Sequence, residues 1–197
     1  TTVPLAQQFF DQGVGQLHGF WYFEAERSFR QVAQLDPQCA MAYWGMALAN
    51  ANNEKRAKAF SDKAVQKKAA ASPREVAWID ALAASYAGSD TTERRRKYVR
   101  DLEAIVQDNP LDVEAKAFLV LQIWKNGSWM TESKKQLPIP SHQAVDALLD
   151  QVFAAQPMHP AHHYRIHLWD EEKPARALVS ASLNGQAAPG IAHMWHM

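Results

Sequence analysis

The sequence predicts an all-α protein, a solenoid of antiparallel helix pairs with about five units plus the first helix of a sixth. Three observations predict it. Pro37, Pro73, Pro110, Pro157 and Pro189 fall at intervals of 36, 37, 47 and 32 residues, close to the period of about 34 that two-helix repeats show. An apolar residue stands eight positions before each proline (Phe29, Val65, Leu102, Leu149, Ala181), and an aromatic follows each one (Tyr43, Trp78, Phe118, Tyr164, Trp195). No segment alternates apolar and polar residues as a half-buried strand would.

Helix-start and helix-stop chemistry then places the elements in order. Helices are expected over 4–18, 21–36, 38–51, 53–71, 73–87, 91–109, 111–125, 141–156, 160–169, 173–184 and 190–197. Ser72-Pro73-Arg74-Glu75 sets a Ser at N-cap, a Pro at N1 and a Glu at N3, and Asp90-Thr91-Thr92-Glu93 repeats that capping logic. In the second unit Ala57, Phe60 and Ala64 suggest a register shift by about one residue. The 47-residue interval contains extra length, Asn126 to Pro140, with Gly127, Trp129, Pro138 and Pro140, and reads as an insertion loop of the kind that usually has a role. Asp170, Glu171 and Glu172 read as the start of the next helix, where acidic side chains suit the positive end of the dipole. Their alternative use is to pair with a histidine.

Composition excludes several function classes. The chain has 197 residues, 47% of them hydrophobic, and 21 basic against 21 acidic side chains. That balance gives no electrostatic case for nucleic-acid binding, which rests on a surplus of Lys and Arg. No apolar run approaches the length of a membrane span, so no membrane insertion is expected. Thr1-Thr2-Val3-Pro4 lacks the pattern of a signal peptide but is not an initiating Met, so cytoplasmic and periplasmic origins both stay open. A single cysteine, Cys39, closes no disulfide within the chain and reads as a small packing residue. Sequence signatures of nucleotide loops, nucleophile elbows and zinc-protease helices are all missing, and no catalytic residue is assigned. The run Arg94-Arg95-Arg96-Lys97 with Arg100 has Asp90, Glu93, Asp101 and Glu103 at helical spacing and reads as an internally paired, solvated face.

The first unit is the most explicit. Phe9, Gly13, Tyr22, Ala25, Phe29, Val32 and Pro37 fall where aromatic, small, aromatic, small, aromatic, apolar and proline positions recur in tetratricopeptide (TPR) repeats, and the chain resembles that family. A small residue is needed at Ala25 because two helices cross closely, Phe29 fills the groove one turn on, and Pro37 ends the second helix. The resemblance implies a module whose concave face binds a protein or peptide partner. Gln12, Gln16, Asn50, His162, His193 and His196 are the expected groove residues, with Trp129 in the insertion as a lid or groove contact. Ile191 to Met197 resembles the first helix of a sixth unit without its partner helix, which suggests a fragment of a longer chain and self-association through the incomplete helix.

Histidine is the compositional outlier. Of eight, seven lie from His142 onward. His163 and His167, four apart, share one helical face, and His193 and His196 are three apart, so the two pairs could meet across neighbouring first helices. Four imidazoles would suit Zn or Cu, and Met158, Met194 and Met197 add thioether sulfurs that favour Cu(I). This metal-binding site, catalytic or for storage, is the alternative function. The bland reading stands beside it: Ala161-His162-His163-Tyr164 and Ala192-His193-Met194-Trp195 are alike, so duplication alone can place histidines at equivalent positions that hydrogen-bond within packed helices. The segment from Ser141 through His159–Asp170 to Met197 is similar to the histidine-rich repeats of a group of bacterial TPR proteins, some of which carry a redoxin domain upstream. That resemblance implies no established reaction, and the redoxin cysteines have no counterpart in this chain.

Overall fold

Ser72 Oγ accepts the Glu75 amide at 3.3 Å while the Glu75 carboxylate accepts the Ser72 amide at 2.8 Å, the full reciprocal box expected of that tetrapeptide. Asp90 caps the next helix through the amides of Thr92 and Glu93, but Glu93 does not reach back; its carboxylate pairs with Arg100 at 2.6 Å instead. Asn53, Asp112 and Ser141 cap three further helices with their side chains. The result is a computed structural model that describes residues 1–128 and 136–197. Among the described residues there are eleven α-helices and no strand: α1 Pro4–His18, α2 Tyr22–Leu35, α3 Ala40–Ala49, α4 Glu54–Lys67, α5 Pro73–Ala84, α6 Thr91–Asp108, α7 Val113–Gly127, α8 His142–Ala155, α9 His162–Trp169, α10 Leu178–Ala187 and α11 Ala192–His196. No helix among them is long and apolar enough to cross a membrane.

Helix α4 stops four residues early at Lys67, passing into a 3-10 turn at Lys68–Ala70, and α5 stops three early at Ala84; two other boundaries change what a segment does. The turn Pro174–Ala177 is 3-10 helix, so α10 begins at Leu178 and runs to Ala187. Asp170 to Glu172 consequently do not open a helix: Lys173 holds the N-cap position of that turn, and Asp170 closes α9. The other difference is at α7, which continues through Asn126 and Gly127 into the expected loop. Residues 137–139 then return against its end, where Leu137 N donates to Asn126 O at 2.8 Å. A Cβ on Gly127 would sit 2.9 Å from Ile139, so only glycine admits that close return.

The chain divides into two compact units, Thr1–Ser89 and Asp90–Met197. In the first, α1 packs on α2, α2 on α3, α3 on α4 and α4 on α5. Phe29 is fully buried, its ring held between Gly13 of α1 and Gly45 of α3 with Phe10 edge-on at 5.5 Å. Burying such a ring contributes about 2–3 kcal/mol. Helix α3 has almost no polar face because it contacts α1, α2, α4 and α5, and its Trp44 meets Trp78 of α5 edge-on at 5.5 Å. Cys39 is buried at its start, and burial pushes its thiol up, away from reactivity.

In the second unit α6 packs on α7, α7 on α8, α8 on α9, α9 on α10 and α10 on α11, with α7 also touching α9. Leu102, Val120, Leu149, Val152 and Tyr164 are fully buried and form its core. The residues eight before a proline are buried at Phe29, Leu102 and Leu149, whereas in the other two repeats the buried position is one earlier, Ala64 beside Val65 and Ser180 beside Ala181. The register shift expected in the second repeat therefore recurs in the fifth. The cationic run on α6 is paired in part, Lys97 with Asp101 and Arg100 with Glu93, both at 2.6 Å, while Arg96 is exposed.

Candidate functional site

Helix α9 is eight residues long, and six of them are buried, three of these being His162, His163 and Tyr164. The histidines on and around it divide into two chemical groups. His159 and His162 are structural donors and acceptors. The His159 Nδ1 accepts the Ala161 amide at 3.0 Å, which puts the ring proton on Nε2, 3.2 Å from the Glu114 carboxylate. His162 Nε2 donates to Pro157 O at 2.8 Å, so its Nδ1 accepts from Ser180 Oγ at 2.9 Å, and its ring lies flat on Phe153 with centroids 4.0 Å apart. Burial holds His162 below the usual histidine range, with Arg165 and His159 pushing the same way against the Pro157 carbonyl.

The second group is His163, His167 and His193. The Nε2 atoms of His163 and His167 are 3.1 Å apart, and one ring nitrogen from each of the three residues lies within 4.8 Å of the others. The ring of His193 meets that of His163 edge-on at 4.9 Å. His167 Nδ1 faces the Asp170 carboxylate at 3.2 Å, which fixes its proton on Nδ1 and leaves Nε2 as a lone-pair donor aimed into the group. Trp124 of α7 stacks on His167 at 4.7 Å and donates its indole N–H to the His167 carbonyl at 3.0 Å. Burial holds both His167 and His193 below the usual histidine range, opposed at His167 by Asp170. Neutral imidazoles result at pH 7, the state in which histidine ligates metals.

Of the four proposed metal ligands, three come together. His196 is exposed, its ring 6.3 Å from that of His193, and lies outside the group. Met194 is a core residue rather than a free thioether, fully buried on α11, which packs on α10. The expected groove residues are scattered. Gln12 donates to Ser28 Oγ at 2.9 Å, and Ser28 in turn donates to buried Gln16 at 2.7 Å, so these three side chains join α1 to α2. Asn50 donates to Glu26 and to the Met46 carbonyl. Burial opposes ionisation of Glu26, yet Arg56, Asn50 and Arg30 together hold its carboxyl below the usual range. Trp129 lies outside the described residues. Trp195, the aromatic that follows Pro189, is 61% exposed, but one face of its indole covers Gly185 so closely that a Cβ there would collide with it.

Sequence reasoning missed Trp124 and Ser180 as the residues that orient histidines. Neither has a motif, since their roles depend on contacts 43 and 18 residues away along the chain. A third feature also lacked a signal: an open groove of about 540 Å³ in the second unit, walled by Val99, Leu119, Ile123 and Val145, with Arg96 and Arg100 at its lip.

An all-α protein of stacked helix pairs carrying a three-imidazole cluster is the class that this fold and site define. No family model matches the chain, and no curated protein matches it. Among solved structures it is similar to YrrB, described as a TPR protein with an unusual peptide-binding site, at 16% identity and a TM-score of 0.45 over 95% of this chain and 89% of that one.

Proposed function

We propose that the chain is a helical-repeat binding module for a protein or peptide partner. The groove in the second unit is the observation that carries this reading. Its walls are mostly aliphatic, with Glu103 and Asn126 also on the lining, and Arg96 at its lip is exposed with no ion-pair partner among the described residues. An extended peptide that inserts apolar side chains and sets an acidic residue beside Arg96 matches those features. Gln12 and His196, both exposed, are further contacts available on their respective units. Fluorescence anisotropy with a labelled decapeptide of alternating Leu and Glu tests it. Saturable binding that falls at least about tenfold in Ile123→Glu and in Arg96→Glu, but not in Lys58→Glu on the first unit, supports the groove. Equal binding by all three variants overturns it.

The three-histidine group supports a second reading, a Zn or Cu centre built from His163, His167 and His193. In a tetrahedral site with Zn–N bonds near 2.0–2.1 Å, neighbouring nitrogens are about 3.3 Å apart; the His163–His167 pair already stands at 3.1 Å. Three ligands leave one position for water or a substrate. The carboxylate behind His167 is the usual outer partner of a metal-bound imidazole. Metal analysis of tag-free protein equilibrated with zinc, with the cobalt(II) visible spectrum as a second readout, checks this. One ion per chain and a raised melting temperature support it, and sub-stoichiometric metal without a thermal gain ends it.

A further inference from the structure

The three imidazoles are supplied by two separate helices. His163 and His167 sit on α9, whose helix is buried on most sides and clamped by Trp124. His193 sits on α11, which has only five residues. It is retained by the buried side chains of Ile191 and Met194, by Asn184 Nδ2 donating to the Met194 carbonyl at 2.8 Å, and by Trp195, whose indole N–H reaches the Pro189 carbonyl at 3.0 Å. Segments with so few anchors open locally long before the whole fold does.

Resting on the metal reading above, we propose that a divalent ion bound by His163, His167 and His193 is a clasp that fastens the 191–197 segment to α9. The ion draws His193 toward the preset His163–His167 pair, and opening the segment then costs the difference between a three-ligand and a two-ligand site. Loading controls whether Ile191 and Met194 stay buried. Because the ion links two segments rather than two residues of one helix, its effect on backbone opening is local to 191–197 and to the last turns of α9.

Hydrogen exchange of the tag-free 197-residue chain, with and without zinc chloride and with zinc binding measured in parallel by calorimetry, reads the clasp directly. The amides of Met194 and Met197, bonded to the carbonyls of Ile191 and His193, are the reporters. With zinc well above its dissociation constant, exchange in a peptide covering 188–197 should slow at least about tenfold while one covering 22–35 does not change. His193→Gln, at a partly exposed position, should abolish that slowing and weaken zinc binding. Unchanged exchange in a chain that binds zinc through His163 and His167 overturns the clasp and leaves the metal centre standing. No zinc uptake by the folded chain overturns both.

Discussion

Trp124 holds His167 at two points, its indole stacked on the imidazole at 4.7 Å and its N–H bonded to the His167 carbonyl at 3.0 Å. The ring and the backbone of one histidine are thus fixed by a single residue from another helix. Trp124→Phe keeps much of the stacking surface and deletes the donor. It should cost about 1 kcal/mol in urea unfolding without metal and weaken zinc binding in the same protein. Trp124→Leu, which removes the stack as well, should cost more on both measures. Zinc affinity unaltered in both variants would show that His167 is placed without this contact.

The fate of Phe29 gives a second prediction. A methyl on Gly45 would lie 2.5 Å from its ring, and one on Gly13 would lie 2.8 Å away. The ring is closed in on both sides and cannot step aside, so Gly45→Ala should destabilise by about 1–3 kcal/mol through overpacking, more than the few tenths gained from helix propensity. Gly15→Ala, which meets nothing within 4 Å, is the control and should be neutral or slightly stabilising. Thermal unfolding of the three proteins decides it.

These two cases mark what was legible in the sequence. The Phe29 packing was readable because Gly13, Ala25 and Phe29 stand at the spacing at which two crossing helices need small residues beside a ring, and the eleven helices followed from proline intervals and caps that act within four residues. The metal candidate was readable only where helix geometry sufficed: His163 and His167 at i and i+4 had to be neighbours, and His193 was brought near by the repeat logic. His196 was not excluded, because a slip of one residue turns a helix by about 100° and spacing alone does not set the register. The same slip hid Ser180, which occupies the buried position that the proline count gave to Ala181. Trp124, Asp170 and the groove depend on how separate elements pack, which no local pattern encodes.

Ser180 itself supports a third prediction. It is 1% exposed and bonds to the His162 Nδ1 at 2.9 Å. Ser180→Ala leaves that nitrogen buried without a partner, a loss of about 1–3 kcal/mol. Ala181→Ser, one residue later at a half-buried site, should change stability by much less. If denaturant titrations give equal losses, the buried register lies elsewhere.

Asp146 receives two guanidinium groups, Arg165 Nε at 2.8 Å and Arg176 Nη2 at 3.3 Å, and its own side chain is only 11% exposed. Arg165 also lies over Phe153, the ring on which His162 stacks. Asp146→Asn removes a carboxylate that both cations face, leaving Arg165 with Asp150 and Arg176 partly in solvent, and should cost about 1–2 kcal/mol. The loss should persist at high salt because the Asp146–Arg165 pair is largely shielded from solvent. A loss that disappears in 1 M salt would place the pair at the surface instead.

The last prediction concerns pH. Burial lowers the folded-state affinity for protons at His162, His167 and His193, whereas in the unfolded chain a histidine titrates near pH 6.5. Between those limits the unfolded state binds more protons, so stability rises with pH. The contribution is complete above about pH 7, shrinks as pH falls through 6.5, and is lost once the folded-state values are passed. Glu26, whose carboxyl is held low by its basic partners, adds a separate loss below about pH 4.5. Urea midpoints of the metal-free protein should therefore fall between pH 7.5 and 5.5, before carboxylates titrate. Gln at His167 should remove part of that slope, and saturating zinc should steepen it, because protons then compete with the ion for the same nitrogens. A midpoint that stays level across that interval would mean that His162, His167 and His193 take up protons in the folded chain as they do in the unfolded one, so that burial does not hold them low.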